Sequence, residues 1–390
     1  MDTRRGEGIR DLTDDEARVA LPQKWGSVDA DVLPSWVAEM DFAPAPAIAD
    51  ALRDAAAHGP LGYPSMALGI EIGEAYTEFA TRHHGDALQP IVLPVVDVTA
   101  GIRFVLDVLS ERAPVVVPFP AYPPHHAVAQ ITGRERVDLR LDPDAPHAAI
   151  DLDALDQLLG RGARTLLLTN PHNPWGRVFT RAELEGVRDV VVRHGARVIS
   201  DEIHAPLTLP GSTFCSYLAI DGTSDHAVAL VSASKAFNIA GLRCAQILTT
   251  HGATLRQLIN LPVALNDSWS TLGAIATIAA YRDCDVWLAS LVARLDGQRA
   301  LLGQLLAELL PEARMRPLEG SYLAWLDLRA YGADDPAAVA LERGRVQLAA
   351  GHEFQADLTG HARVNIATSS ARLREIVERL ALALTVTPSA

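Results

Sequence analysis

Val228-Ala229-Leu230-Val231-Ser232-Ala233-Ser234-Lys235-Ala236-Phe237-Asn238-Ile239-Ala240-Gly241-Leu242-Arg243 is the stretch on which the reading of this chain turns. It opens with an apolar run that has no polar alternation, as expected of a strand covered on both faces. The run ends in two serines and a lysine, and apolar residues follow. In isolation, Ser-x-Ser-Lys reads as a surface lysine in a loop. Here the chain holds only two lysines, Lys24 and Lys235, among 34 basic residues. Lysine is almost never buried without a partner or a purpose. Burial and nearby positive charge lower an amine's pKa and make it nucleophilic.

Working outward, similar apolar runs occur at Ile91–Val98, Pro114–Pro118, Thr165–Thr169, Arg197–Ser200 and Gln246–Thr249. Amphipathic helical patterns lie between them, at Gly101–Arg112, Asp151–Gly160 and Arg181–His194. This alternation predicts an α/β fold, with a mostly parallel sheet covered by helices. Ligands of such sheets lie beyond the strand ends. Two more strands end in unusual polar residues. Thr165–Thr169 runs into Asn170-Pro171-His172-Asn173-Pro174-Trp175-Gly176-Arg177, and Arg197–Ser200 into Asp201-Glu202-Ile203-His204.

The ends of the chain read differently. Residues 1–45 are predicted to be an irregular N-terminal segment packing on the small domain. Residues 46–280 read as the large domain and 281–390 as a smaller α+β domain. The latter is expected to hold strands Arg314–Leu318, Tyr322–Leu328 and Arg363–Ala367, a helix Pro336–Ala350 and a final helix. A long helical region from Asn266 to about Leu310 breaks near Asp283–Asp285.

Of the 390 residues 49% are hydrophobic and 21% charged, ordinary for a globular protein, and the net charge is −14. That charge argues against nucleic acid or an anionic membrane as the main partner. The first residues lack the apolar core of a signal peptide. The most apolar helical stretch, Thr271 to Tyr281, falls short of the ~20 residues a membrane span needs. Cys215, Cys244 and Cys284 lack metal or redox spacing. The expectation is a reduced, cytoplasmic protein with no metal. No Gly-x-Gly-x-x-Gly follows a strand, which leaves little room for a dinucleotide site.

Taken together, Asn-Pro-His-Asn-Pro-x-Gly, Ser-Asp-Glu-Ile-His and Ser-x-Ser-Lys-x-Phe-Asn-x-x-Gly-Leu resemble the fold-type I pyridoxal 5′-phosphate (PLP) enzymes, the aminotransferase class I/II superfamily. The order is right, with 28 residues from Asn173 to Asp201 and 34 from Asp201 to Lys235. Lys24-Trp25, Trp36-Val37-Ala38-Glu39-Met40-Asp41-Phe42 and Gly62-Tyr63-Pro64 narrow the likeness. They resemble the cystathionine β-lyase-like C–S lyases of the MalY and PatB type. There Trp-Val-Ala-Asp-Met-Asp-Phe is the common form. Glu39 replaces that first aspartate here, and no role is assigned to it.

The resemblance implies a cofactor, PLP, and a role for each matching position. Lys235 resembles the Schiff-base lysine that also moves the Cα proton. Asp201 resembles the carboxylate that holds the proton on the pyridine nitrogen. Asn173 resembles the residue that hydrogen-bonds the ring 3-hydroxyl and lies by the substrate. His204 stands where many aminotransferases have tyrosine, and its imidazole can donate to the same oxygen or pack beside it. Tyr122 matches the aromatic that stacks on the ring. Thr99-Ala100-Gly101-Ile102-Arg103 resembles the phosphate loop, with Gly101 allowing close approach and Ile102 and Arg103 giving N–H groups; the Arg103 side chain itself departs from the family. Ser232, Ser234 and Arg243 match further phosphate ligands. Tyr63 matches a tyrosine that reaches the neighbouring subunit's phosphate, which makes the enzyme a homodimer with shared sites. Arg363, in His361-Ala362-Arg363-Val364-Asn365, resembles the fork that binds the substrate carboxylate.

For a small amino-acid substrate the resemblance implies β-elimination of a thiol, giving pyruvate and ammonia. An aminotransferase shares every step up to loss of the Cα proton, so that outcome stands as the alternative. A regulatory protein that kept the fold is a third reading, less favoured because the lysine, aspartate, asparagine and arginine are all present.

Overall fold

The computed structural model describes residues 8–85, 88–260, 266 and 268–385. Seven strands form its main sheet: β1 (Ile91–Val95), β2 (Val115–Phe119), β3 (Arg136–Arg140), β4 (Thr165–Thr169), β5 (Arg197–Asp201), β6 (Ala227–Val231) and β7 (Ala245–Thr249). Their order is β1-β7-β6-β5-β4-β2-β3. β7 runs antiparallel to both of its neighbours, and the remaining pairs are parallel. Every residue of β2, β4, β6 and β7 is buried.

Side-chain alternation along these strands explains why helices must cover both faces. Val115, Val117, Leu167, Ile199, Leu230 and Ile247 point into one apolar cluster, with Ile102, Val105 and Leu106 of the helix Val98–Leu109. Val116, Leu166, Leu168, Val198, Ala229 and Leu248 point into the other. Each fully buried Leu, Ile or Val contributes ~1.5–3 kcal/mol of transfer free energy. Among the described residues, no helix is long and apolar enough to cross a membrane.

Four differences from the expected elements have physical causes. The first strand ends at Val95 rather than Val98, and the next helix runs Val98–Leu109 rather than Gly101–Arg112. Asp97 starts that helix by accepting the Ala100 N–H at 2.7 Å. β3 was missed because it lies at a sheet edge and alternates charged with apolar residues. Residues 1–45 are not wholly irregular: Asp14–Ala20 is a helix held by a capping box between Thr13 and Glu16. The helix expected over Pro336–Ala350 stops at Gly344, because Arg345 takes a left-handed φ of 55° and turns the chain.

Beyond that turn, Val346–Gln347 pairs in parallel with Leu33–Pro34, joining the N-terminal segment to the C-terminal part. A second sheet is antiparallel, formed by β8 (Arg314–Met315), β9 (Leu323–Asp327), β10 (Ala349–Ala350) and β11 (His361–Asn365) in the order β10-β11-β9-β8. The long helical region is two helices, Thr271–Asp283 and Asp285–Leu309, meeting at Cys284.

Candidate active site

In register, Thr169 of β4 pairs with Asp201 of β5, and Asp201 with Leu230 of β6. The polar segments after these strands therefore emerge side by side, at the carboxyl edge where an open sheet binds ligands. They line a cavity of about 230 Å³ that gathers Tyr122, Asn173, Asp201, His204, Ser232, Ser234, Lys235, Arg243 and Arg363.

Lys235 is partly buried, and its Nζ donates to the Ala38 carbonyl at 3.1 Å. Burial pushes its pKa down to about 8, and the Arg363 guanidinium adds to that; Glu39 and Asp201 oppose it. The amine thus loses its proton far more readily than an ordinary lysine. The strap above it is clamped. Tyr322 donates its hydroxyl to Ala38 O at 3.0 Å, and Asn365 Nδ2 donates to the carbonyls of Val37 and Glu39 at 2.7 Å each. Asn238 ties both the N–H and the carbonyl of Met40. Lys24, the other lysine, does not reach the cavity. It is fully buried, 2.9 Å from Asp41, and it donates to the Glu39 carbonyl at 3.1 Å.

Asp201 Oδ1 accepts the Ile203 N–H at 3.1 Å, which fixes the carboxylate plane. Its Oδ2 lies 3.4 Å from His125 Nε2, within ion-pair reach, although the angle does not make a hydrogen bond. Arg363 Nη1 donates to Asn173 Oδ1 at 3.0 Å and Nη2 to the Trp36 carbonyl at 2.8 Å. Arginine has five N–H donors, so three remain for an anion, including a buried Nε without a partner. Because Asn173 Oδ1 is occupied, its amide NH₂ is left to donate into the cavity. His204 is buried, with Nδ1 unpartnered. Burial first, then the Lys235 charge, lower its pKa to about 3, so the imidazole is neutral.

The opposite end gathers donor groups suited to an anion. Val98 and Thr99 line it at the start of their helix, where N–H groups have no intrahelical partner. Arg243, in a left-handed turn (φ 56°), contacts Asp97 Oδ2 through Nη2 at 2.7 Å. Ser232 directs its hydroxyl hydrogen to the Cys244 carbonyl at 2.8 Å and accepts the Ser234 N–H at 3.1 Å. It can therefore reach an anion only by giving up the first of these bonds.

Gly101, Ile102 and Arg103 are not at this pocket. The helix begins three residues before Gly101, so the Ile102 and Arg103 N–H groups are committed to the helical ladder. The Gly101 N–H itself bonds Asp97 O at 2.9 Å. A Cβ on Gly101 would sit 2.5 Å from Leu230 Cδ2 and 3.2 Å from Val95 Cγ2, so this glycine serves the approach of helix to sheet. Arg103 is exposed. Tyr63 is 98% exposed and lies in a shallow groove with Leu61, Trp269 and Leu272, outside the cavity of its own chain.

Three residues beside the cavity escaped the sequence reading. Asp97 carried a usable signal, an N-cap acid just before an apolar helical pattern. His125 and Tyr322 carried none, since only the fold brings them to Asp201 and Ala38.

The family model described as aminotransferase class I and II matches residues 37–380. A provisionally named cystathionine β-lyase of Mycobacterium tuberculosis is 40% identical over 93% of this chain and 94% of its own. The cystathionine β-lyase of Corynebacterium glutamicum is 32% identical over 93% and 96%. Among solved structures, cystalysin from Treponema denticola, which contains a PLP cofactor, superposes with a TM-score of 0.88 at 26% identity, covering 96% of this chain and 99% of that one. The chain belongs to the aminotransferase class I and II family, in its branch of cystathionine β-lyase-like proteins.

Proposed function

We propose that this protein is a PLP-dependent carbon–sulfur β-lyase that takes a small amino acid bearing a Cβ thiol leaving group, such as cystathionine or a cysteine conjugate, and releases pyruvate, ammonia and the thiol. One observation carries the reading. A single cavity joins a lysine with a pKa near 8, a carboxylate, and an arginine with spare donors.

The residues fit PLP on their own chemistry. The orphaned His204 Nδ1 and the free Asn173 amide suit a phenolic oxygen, Asp201 suits a protonated ring nitrogen, and the helix start with Arg243 suits a phosphate. When bound, PLP supplies an electron sink for the charge left at a substrate Cα. Lys235 Nζ takes the Cα proton. Asp201, with His125 beside it, would keep a proton on the ring nitrogen. Arg363, aimed by Asn173 and Trp36, binds the substrate carboxylate through its remaining N–H groups. Tyr122 would cover one face of the ring, and Ser232 and Ser234 would border the phosphate.

The Tyr63 assignment requires a homodimer in which each chain completes its partner's phosphate site. Exposed apolar side chains close to it in sequence, Leu61, Met66 and Ile70, support such a contact. The buried thiols of Cys244 and Cys284 support a reduced compartment, the cytoplasm.

Elimination is favoured over transamination because the relatives of highest identity reported above carry cystathionine β-lyase names. Purified protein incubated with cystathionine should yield pyruvate and ammonia. A new amino acid formed from 2-oxoglutarate without ammonia would make it an aminotransferase. A biological effect that survives Lys235→Ala would make it a regulator.

A further inference from the structure

Asp97 puts a negative charge inside the pocket assigned to a phosphate. Its Oδ1 takes the Ala100 N–H of the helix's first turn at 2.7 Å, and its Oδ2 lies 2.7 Å from Arg243 Nη2. These are the two kinds of donor, a helix N-terminus and a cation, that an anionic group needs there. Three cations line the cavity. Arg363 is held by Asn173 and Trp36, and Lys235 faces Ala38. Arg243 is left as the cation at this end, and Asp97 already neutralises it. A phosphate monoester carries close to two negative charges at neutral pH. It must share Arg243 with a carboxylate, and repulsion between like charges at close range is costly.

We propose that Asp97 is an internal competitor of the cofactor phosphate: it holds Arg243 and the helix start as a phosphate oxygen would, and so keeps PLP binding weak enough for the cofactor to exchange. The inference rests on reading the Arg243 end of the cavity as the phosphate end. It assigns to Asp97 a part in setting cofactor affinity.

The test compares apoprotein of the wild type with Asp97→Asn and Asp97→Ser. Both replacements keep a side-chain helix cap and remove the charge. Thermal melting of the apoproteins verifies that the variants fold. PLP and pyridoxal, which lacks the phosphate, are titrated by absorbance and fluorescence, and inorganic phosphate is added as a competitor. Both variants should bind PLP at least tenfold more tightly than wild type and release it more slowly. Inorganic phosphate should compete better in the variants, and pyridoxal affinity should change less than about twofold. Equal or weaker PLP binding in both variants would overturn the proposal and make Asp97 a residue that merely aims Arg243. Arg243→Ala tests the underlying reading separately. It should weaken PLP but not pyridoxal, and indifference to both would remove the phosphate assignment, with the inference falling alongside it.

Discussion

The depressed pKa of Lys235 predicts how fast apoprotein captures PLP as pH is varied. Only the neutral amine attacks an aldehyde. Lowering the pKa from 10.5 to about 8 raises the neutral fraction at pH 7 from ~0.03% to ~9%, roughly 300-fold. Rapid mixing of apoprotein with PLP, followed by absorbance between about pH 6 and pH 10, should give a rate that climbs about tenfold per pH unit. The climb should stop near pH 8 and the rate stay level above it. The causes give two further signs. Arg363 lowers the pKa by charge, so Arg363→Met should move the bend to higher pH; Glu39 raises it, so Glu39→Gln should move the bend lower. A rate that keeps climbing to about pH 10 without a bend would refute the argument, as would opposite shifts in the two variants.

Gly101→Ala should cost about 1–3 kcal/mol of overpacking against the buried Leu230, partly offset by ~1 kcal/mol of helix propensity. PLP affinity should stay within about twofold, so a marked loss of affinity with unchanged urea stability would restore Gly101 to the phosphate loop. Lys24→Met leaves buried Asp41 with Arg372 at 3.4 Å as its remaining cation and should destabilise the fold by about 3–5 kcal/mol in denaturant titrations. A loss below about 1 kcal/mol would mean the pair is not what holds that region. Asn173→Ala removes the bond that aims Arg363 and should lower kcat/KM by roughly 10–100-fold, with a shifted cofactor absorbance; an unchanged spectrum would separate Asn173 from the ring. Mixing inactive Lys235→Ala with Tyr63→Ala protein should restore about a quarter of wild-type activity if sites are shared across a twofold dimer, and none if they are not.

Much of the main sheet was legible because parallel strands buried on both faces are written as unbroken runs of Val, Ile and Leu. The edge strand Arg136–Arg140 was not, since a strand with one open side needs no such run. The polar segments after β4, β5 and β6 stood out for the same reason: a buried strand ending in Asn, Asp or Ser-x-Ser-Lys is chemically costly without a use. The helix start lies three residues before Gly101, the residue, conspicuous for its lack of a side chain, from which the strand-to-helix junction was read. The junction is set instead by the Asp97 cap, and Gly101 answers to Leu230 across the helix–sheet contact. Long-range partners such as His125 beside Asp201, or Tyr322 beside Ala38, follow from topology and leave no local pattern.

The two lysines show what turns a buried amine toward chemistry or toward structure. Both are pressed by burial to lose their proton. Both also touch carbonyls of the same strap, Lys24 that of Glu39 and Lys235 that of Ala38. What separates them is a carboxylate in contact. Asp41, 2.9 Å from Lys24, opposes the burial effect through its charge and a hydrogen bond, and the pair braces the strap. Among the described residues no carboxylate forms an ion pair with Lys235, and Arg363 adds to the effect of burial. Glu39 opposes the fall from a distance: its charge raises the pKa of Lys235 with no ion pair between the two, and its carbonyl is gripped by Lys24 and Asn365. The direction of the Glu39→Gln shift measures that opposition.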